Sequence, residues 1–367
     1  MSNQDYWQQR AERNLQAVED IAVDYNLELA KEYKKVIKEL QEELMLFYAK
    51  YAEENKISLE MAKKRLSGKE LSEFKEIIQD YIEQASQYDT KNAQSYLKNL
   101  KELQDRARLS RLELLIAEYR HAIEMLLLKQ EDQQPNIYLQ GYEDMYYHTL
   151  YDVQTYSGVG MSFTTPSKDL VISVLSQNYL GEDFSDRLWK NKEMLIYNLK
   201  KEMQFAFAAG KSSRYVADKI ASAMNTRQGV AMTLVRTEMN NVANQAALQA
   251  YTQAGIKEYQ LLATLDFKTS EICISMDGRI FKVSKAERGV NFPPFHPNCR
   301  TTTVPVVDGQ SYAQRIAKEE NYYIIYLPSL AISGYGDTVQ EAKDMIKICL
   351  NEFSNDIFAL TEDRVIK

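Results

Sequence analysis

Apolar residues recur along the first third of the chain at the spacing of a helical seam. Tyr33, Ile37, Leu40, Leu44, Phe47 and Tyr51 are separated by 4, 3, 4, 3 and 4 positions, the alternation that keeps one stripe on one side of a helix. Lys34, Lys35, Lys38, Glu39 and Glu42 fill the other faces. A second seam runs through Leu112, Ile116, Tyr119, Ile123 and Leu126. The pattern predicts long helices over 1–130 that either pair as an antiparallel hairpin inside one chain or zip against another subunit. Between the seams, Ser58 before LEMAKKRL and the Ser67-Gly68 pair mark the starts of shorter helices, because a serine hydroxyl accepts from an early helical amide.

The helical pattern is expected to break at EDQQPNIY (131–138) and to give way to a mixed connecting region, 131–184, with turn residues at Tyr156–Gly160. Helices return from Ser185. Gly210 reads as a C-terminal cap and Ser212 or Ser213 as the next helix start. A further helix is expected from about Gly229 to Ala254, ending at Gly255. From Tyr259 to Val307 the pattern changes to short strands and turns. The tail, 321–367, reads as a small strand–strand–helix module: NYYIIYLP and LAIS are strands, Thr338 and Glu341 have capping-box spacing, and a helix follows from Val339 to about Phe353. The fold class is mainly α with a smaller α+β part, and a chain of 367 residues is expected to form two or three domains.

Composition narrows the function classes. The net charge is −7, with Lys and Glu interleaved along the helices. That disfavours a dedicated nucleic-acid binder, which carries a basic face. The polar start MSNQDYWQQRAERN is not a secretory signal, and no run of about 18 apolar residues predicts a membrane span. Three cysteines, Cys273, Cys299 and Cys349, argue for a reducing cytoplasm rather than a disulfide framework.

Chemistry is concentrated in LDFKTSEICISMDGRIFKVSKAERGVNFPPFHPNCRTTTVP (265–305). Cys273, His296 and Cys299 are donor types that suit zinc, with Asp277 and Asp266 the nearest fourth ligands. Against this, Cys273 stands alone instead of in a CxxC pair, and the residues also fit small buried thiols beside a hydrogen-bonding imidazole. Cys273 with His296 also has the residue types of a cysteine nucleophile and its base, and His296 with Asp277 or Asp266 those of a metal-dependent nuclease. Pro293, Pro294 and Pro297 restrict the loop's backbone and Gly278 permits a tight turn. Upstream, Arg236 and Glu238 lie on a helix, where one or both are expected to pin the loop through charged hydrogen bonds, Arg236 reaching Asp266 or Asp277.

These residues resemble the Mu F-like phage head-morphogenesis family. The resemblance rests on Asp266 and Thr269-Ser270 before Cys273, then Asp277-Gly278 and Phe281. It continues in the string Pro293-Pro294-Phe295-His296-Pro297-Asn298-Cys299-Arg300, and in Arg236-Thr237-Glu238 with Asn240 and Asn244 on the preceding helix. It covers 185–307 well; YWQQRAERN and FSDRLWKNKEML extend it weakly. Many family members carry further cysteines where this chain has Ile274-Ser275-Met276 and Thr301-Thr302, which weakens a four-ligand zinc site here. The resemblance implies a minor head protein, structural rather than enzymatic. It would associate with the portal protein and with capsid or scaffolding proteins, with packaged DNA as a further candidate contact. It would pass from the host cytoplasm into the phage head, with the long helices as docking surface. The tail also resembles part of a HicB-like antitoxin fold through LPSL and GYGDTVQEA. Two rival functions are a carrier for a toxin or effector domain and a metal-dependent DNA-processing enzyme.

Overall fold

In the computed structural model the residues described are 3–53, 56–157, 165–177, 181–307, 316–319, 322–327 and 332–336, with positions 338, 341 and 345. The chain is mostly helical. In order, α1 spans Asn3–Tyr51, α2 Leu59–Lys63, α3 Gly68–Ala85, α4 Lys91–Gln104, α5 Arg111–Ser157, α6 Lys168–Leu175, α7 Phe184–Trp189, α8 Lys192–Ala208 and α9 Ser213–Gln253. Then come β1 (Glu258–Ala263), α10 (Glu271–Met276), β2 (Ile280–Lys282), β3 (Thr301–Val306), β4 (Ile316–Glu319), β5 (Tyr322–Leu327) and β6 (Ile332–Gly336).

Residues divide into two compact units that are discontinuous in sequence. One comprises 1–22, 138–174 and 236–367, the other 23–137 and 175–235. The consecutive segments 1–130, 131–184 and 185–307 are therefore not the units of packing. Removing 1–130 would strip Trp7, which is 4% exposed and packs with Val153, Leu262 and Val304, from the core of the first unit.

In the all-helical unit the two seams meet within one chain. Tyr119 Oη donates to Leu40 O at 2.6 Å, Lys129 Nζ lies 2.8 Å from Glu32, and the Arg111 guanidinium sits 4.0 Å over the Tyr51 ring. These partners run in opposite directions, so α1 and α5 are antiparallel, which is the intramolecular one of the two expected pairings. α9 follows the same course, as Gln41 donates to Ala217 O and Asn26 to Met232 O. The buried stripe differs in detail from the heptad: Val36 and Leu115 are buried while Ile37, Tyr51 and Ile116 are half-buried. A helix of 3.6 residues per turn drifts by about 20° per heptad from a strict 3.5 repeat, and that drift moves the stripe to the adjacent position. The caps stand where the serines place them: Ser58 Oγ accepts from Met61 N–H, and Ser67 forms a complete capping box with Glu70.

Two expected interruptions are absent. α5 continues through Pro135, and α9 is one helix in which Gly229 is an interior residue. A proline inside a helix costs about 3 kcal/mol and a glycine about 1. Both are offset by buried side chains on either side, Leu126, Leu127 and Leu128 against Tyr138 and Tyr142, and Met224 against Leu234 and Val235. Gly210 (φ 59°) and Gly255 (φ 71°) do end helices, in the left-handed conformation that glycine tolerates.

In the other unit β1 is the central strand of an antiparallel sheet ordered β2-β1-β3, with Tyr259 opposite Phe281 and Pro305, and Ala263 opposite Thr301. Asp152, at 3% side-chain exposure, ties α1 to α5: Arg10 Nε lies 3.1 Å away, Asn14 Nδ2 donates at 3.0 Å, and Tyr6 Oη donates to the Asp152 carbonyl at 2.7 Å. Gly141 lets α5 pass close to α9, since a methyl group there would strike Met239 Sδ. Strands β4, β5 and β6 form a second antiparallel sheet; β5 and β6 fall at the two strands expected in the tail, β4 is additional to them, and Glu341 N–H donates to Thr338 Oγ1 at 3.2 Å. Of the helix expected over 339–353 only Glu341 and Met345 are described, both in helical conformation; Cys349 and most of the turn expected at 156–160 lie outside the described residues. Among the described residues no helix is long and apolar enough to cross a membrane.

His121, 8% exposed, stacks on Tyr81 at 3.5 Å and hydrogen-bonds Tyr96 Oη and Gln84 Oε1. Burial pulls its pKa down to about 4 from 6.5. The unfolded chain therefore takes up this proton first, and its contribution to stability, complete above pH 6.5, is lost as pH falls towards 4. Urea unfolding at pH 7 and pH 4 should show the parent losing about 2–3 kcal/mol more than His121→Asn. Equal losses in the two proteins would place the pH sensitivity elsewhere.

Candidate functional site

One face of α9 carries a run of buried polar side chains, and that face holds β3 and the loop before it. β3 is an edge strand, so the carbonyls of alternate residues point away from β1 and need other partners. Asn240 Nδ2 and Asn244 Nδ2 both donate to Thr301 O, at 3.1 and 3.2 Å, and Tyr251 Oη donates to Thr303 O at 2.9 Å. Asn240 and Asn244 are four apart, and Tyr251 lies seven further on, so the three share one face of the helix. All three are buried.

The loop is held from the same helix. Thr237 Oγ1 accepts from Asn298 N–H at 3.0 Å, fixing a residue whose φ is +57°. Glu238, fully buried, faces Arg288 Nη2 at 3.4 Å and accepts from Asn241 Nδ2 at 3.4 Å. The expected pinning thus comes from Glu238, not Arg236. Arg236 is exposed and reaches neither expected aspartate. Its field, with that of Arg300, acts on Glu19, whose pKa is raised because burial outweighs both cations. Asp266 pairs instead with Arg300 in a two-pronged contact of 2.7 and 2.6 Å. Burial alone would raise the Asp266 pKa, but hydrogen bonds from Arg300, the Lys268 amide and Thr269 together hold it below the ordinary value. Asp277 Oδ1 accepts from Ala263 N–H at 2.8 Å, tying the end of α10 to β1, and Gly278 (φ +74°) donates from its amide to Leu261 O. Pro293 and Pro294 are joined by a cis peptide bond; Pro294 is buried and Pro297 exposed.

Within this frame Cys273, His296 and Cys299 come together. Their donor atoms all lie within 4.8 Å of one another, with Cys273 Sγ 3.7 Å from Cys299 Sγ and 3.1 Å from His296 Nε2. Ser270 caps α10, its Oγ accepting from Cys273 N–H, and also lies 2.7 Å from His296 Nε2. His296 Nδ1 is 2.8 Å from Pro297 O. A carbonyl only accepts, so Nδ1 carries the proton and Nε2 presents its lone pair to Ser270 and Cys273. The Cys273 thiol is pushed up, first by its hydrogen bond to Cys299 and then by burial. Cys299 is shifted down, first by the hydrogen bond from Cys273 and then, against burial, by the backbone groups of Phe295 and Thr301.

The arrangement is unsuited to nucleophilic attack, although the Cys273–His296 distance is short. Cys273 and Cys299 are each 3% exposed, whereas a reactive thiol is accessible. Neither aspartate joins the donor cluster. Reasoning from the sequence missed Arg288, Thr301 and the Asp266–Arg300 pair. The triplet Thr301-Thr302-Thr303, all buried, carries no distinctive sequence signal, and Arg288 lies 50 positions from its partner.

Comparison with known proteins adds an independent line. Residues 197–304 match the family described as "Phage Mu protein F like protein", an interval that takes in α9, β1, α10, β2 and most of β3. The chain is 24% identical over 216 residues to the minor head protein GP7 of Bacillus phage SPP1, covering 55% of this chain and 68% of that protein. It is 25% identical over 183 residues to a protein named NAD(+)--arginine ADP-ribosyltransferase EFV from Enterococcus faecalis, covering 46% of this chain but 38% of that protein. A Haemophilus influenzae protein is 30% identical over 104 residues, 23% of its length. No solved structure matches the chain.

The pinning contacts order the expected effects of substitution. Arg288→Ala leaves the Glu238 carboxylate buried without its cation and should cost about 3–5 kcal/mol. Arg236→Ala, at an exposed position, should stay within about 0.5 kcal/mol of the parent. Denaturant unfolding of both variants would test this, and a larger loss for Arg236→Ala would overturn the assignment.

Proposed function

We propose that this chain, whose residues 197–304 are of the phage Mu F-like family, is a minor head protein: a structural component of the phage head and not an enzyme. The observation that carries the reading is the coincidence of the family match with the α9–β3 clamp and its loop, together with similarity to a minor head protein over 68% of that protein's length. In this reading the protein joins the procapsid in the host cytoplasm, associates with the portal protein at its vertex and with capsid or scaffolding proteins, and passes into the virion. There it aids DNA packaging or ejection. The exposed, charged faces of the long helices, such as Lys34, Lys35, Lys38 and Glu42 on α1, provide surface for those partners, and the tail (321–367) is an accessory contact module.

A second reading rests on the match to a protein named as an ADP-ribosyltransferase. Most of that protein lies outside the match, so the shared part would be a carrier segment and the chain would deliver an effector. The burial of both thiols, with the similarity to a minor head protein over 68% of that protein's length, favours the structural reading for residues 197–304.

Mass spectrometry of purified procapsids and mature virions from a phage carrying this gene should find the protein beside the portal protein in both. Its absence from both particles would remove the head-protein reading. Incubation of the purified chain with NAD and arginine-containing acceptor protein should transfer no ADP-ribose; transfer would move the chain to the effector class.

A further inference from the structure

We propose that Cys273, His296 and Cys299 bind one thiophilic divalent cation, with zinc the ion that best fits the donors. The proposal stands on the geometry of the loop and is independent of the head-protein reading.

Three observations carry it. First, the donors already have the spacing of a coordination sphere. Two thiolates each about 2.3 Å from a tetrahedral zinc ion lie about 3.8 Å apart, and a thiolate and an imidazole nitrogen about 3.6 Å apart. Cys273 Sγ and Cys299 Sγ are 3.7 Å apart, and Cys273 Sγ and His296 Nε2 are 3.1 Å apart. Closing onto an ion therefore leaves the two sulfurs near their present separation and moves the imidazole about half an ångström away from Cys273 Sγ, within a cluster whose donors all lie inside 4.8 Å. A disulfide would instead need the sulfurs to meet at about 2.05 Å and would give Nε2 nothing to bind.

Second, the ring is set in the tautomer a ligand needs. The contact from Nδ1 to Pro297 O at 2.8 Å is the outer-sphere carbonyl that orients many zinc-binding histidines. It leaves the Nε2 lone pair free to face Cys273 Sγ, 3.1 Å away.

Third, the donors sit on a frame that holds them without the ion. Ser270 caps the helix that carries Cys273, Thr237 fixes Asn298 beside Cys299, and Arg300 locks the next residue onto Asp266. Two thiolates and a neutral imidazole around a divalent cation sum to zero charge, which suits the burial of both sulfurs. The ion replaces the two thiol protons, which leave to solvent. The fourth position faces the small cleft lined by Lys268, Ser270 and Asn298 and takes a water molecule. Asp266 and Asp277 are engaged with Arg300 and the Ala263 amide, so no carboxylate stands by to activate that water. The ion's role is to join α10 to the loop.

The test uses the full chain, reduced, loaded with zinc and then desalted, with metal content read by plasma mass spectrometry. One ion per chain is expected. Cobalt replacing zinc should give tetrahedral d–d bands and a thiolate charge-transfer band that added zinc abolishes. Cys273→Ser and Cys299→Ser should each weaken retention by more than the roughly tenfold to hundredfold that outer-sphere partners carry, while Cys349→Ser keeps the ion and the cobalt spectrum. Circular dichroism checks that the serine variants keep their helices; if they do not, the cobalt spectrum of the parent decides. A reduced parent chain that retains no ion and shows no thiolate–cobalt band overturns the proposal. So does retention unchanged in both serine variants, or loss of the ion in Cys349→Ser alone.

Discussion

The free edge of β3 needs hydrogen-bond partners, and the buried polar face of α9 supplies them. A buried carbonyl without a donor costs about 1–3 kcal/mol, and Thr301 O and Thr303 O are turned away from β1. Asn240, Asn244 and Tyr251 answer both. One turn earlier the same face presents Thr237 to the loop that leads into β3, and Glu238, further round the helix, faces Arg288. Helix, strand and loop are thus one hydrogen-bonded body, and the family match begins before α9 and ends within β3.

Everything chemically distinctive in the loop depends on that body. Cys299 and His296 are placed because Asn298 is fixed by Thr237 on one side and Arg300 is fixed by Asp266 on the other. Cys273 is placed because Ser270 caps a six-residue helix too short to be stable alone, which Asp277 then ties to β1. The paired charges are structural in their location: the Glu238–Arg288 pair is buried, and the Asp266–Arg300 pair is in the rim of the loop. A buried pair is a weak source of net stability but an effective specifier of position, because either charge alone would be costly.

The long helices work by a different principle. α1, α5 and α9 each contribute a stretch to both compact units, so neither unit is a contiguous piece of the chain. This is why Pro135 and Gly229 do not end their helices: the side chains before and after them are buried, and continuing the helix is cheaper than exposing either set.

Much of this was legible in the residues, and the division has a physical basis. Helix seams, serine caps at Ser58 and Ser67, glycine stops at Gly210 and Gly255, and the change to strands after Tyr259 are encoded within a few positions of chain. Periodicity and capping depend on neighbours that sequence displays directly. The string from Pro293 to Arg300 likewise announced a rigid loop with thiol and imidazole donors. What sequence could not decide was which distant residues meet. Arg300, not Arg236, takes Asp266 across 34 positions; Arg288 reaches Glu238 across 50; Asn240 reaches Thr301 across 61. It also could not decide that the helical seams close on each other within one chain, or that residues 1–22 complete the unit built around β1. Those pairings are set by packing, where burial of shared apolar area and the satisfaction of buried polar groups select one partner from many of the same chemical type.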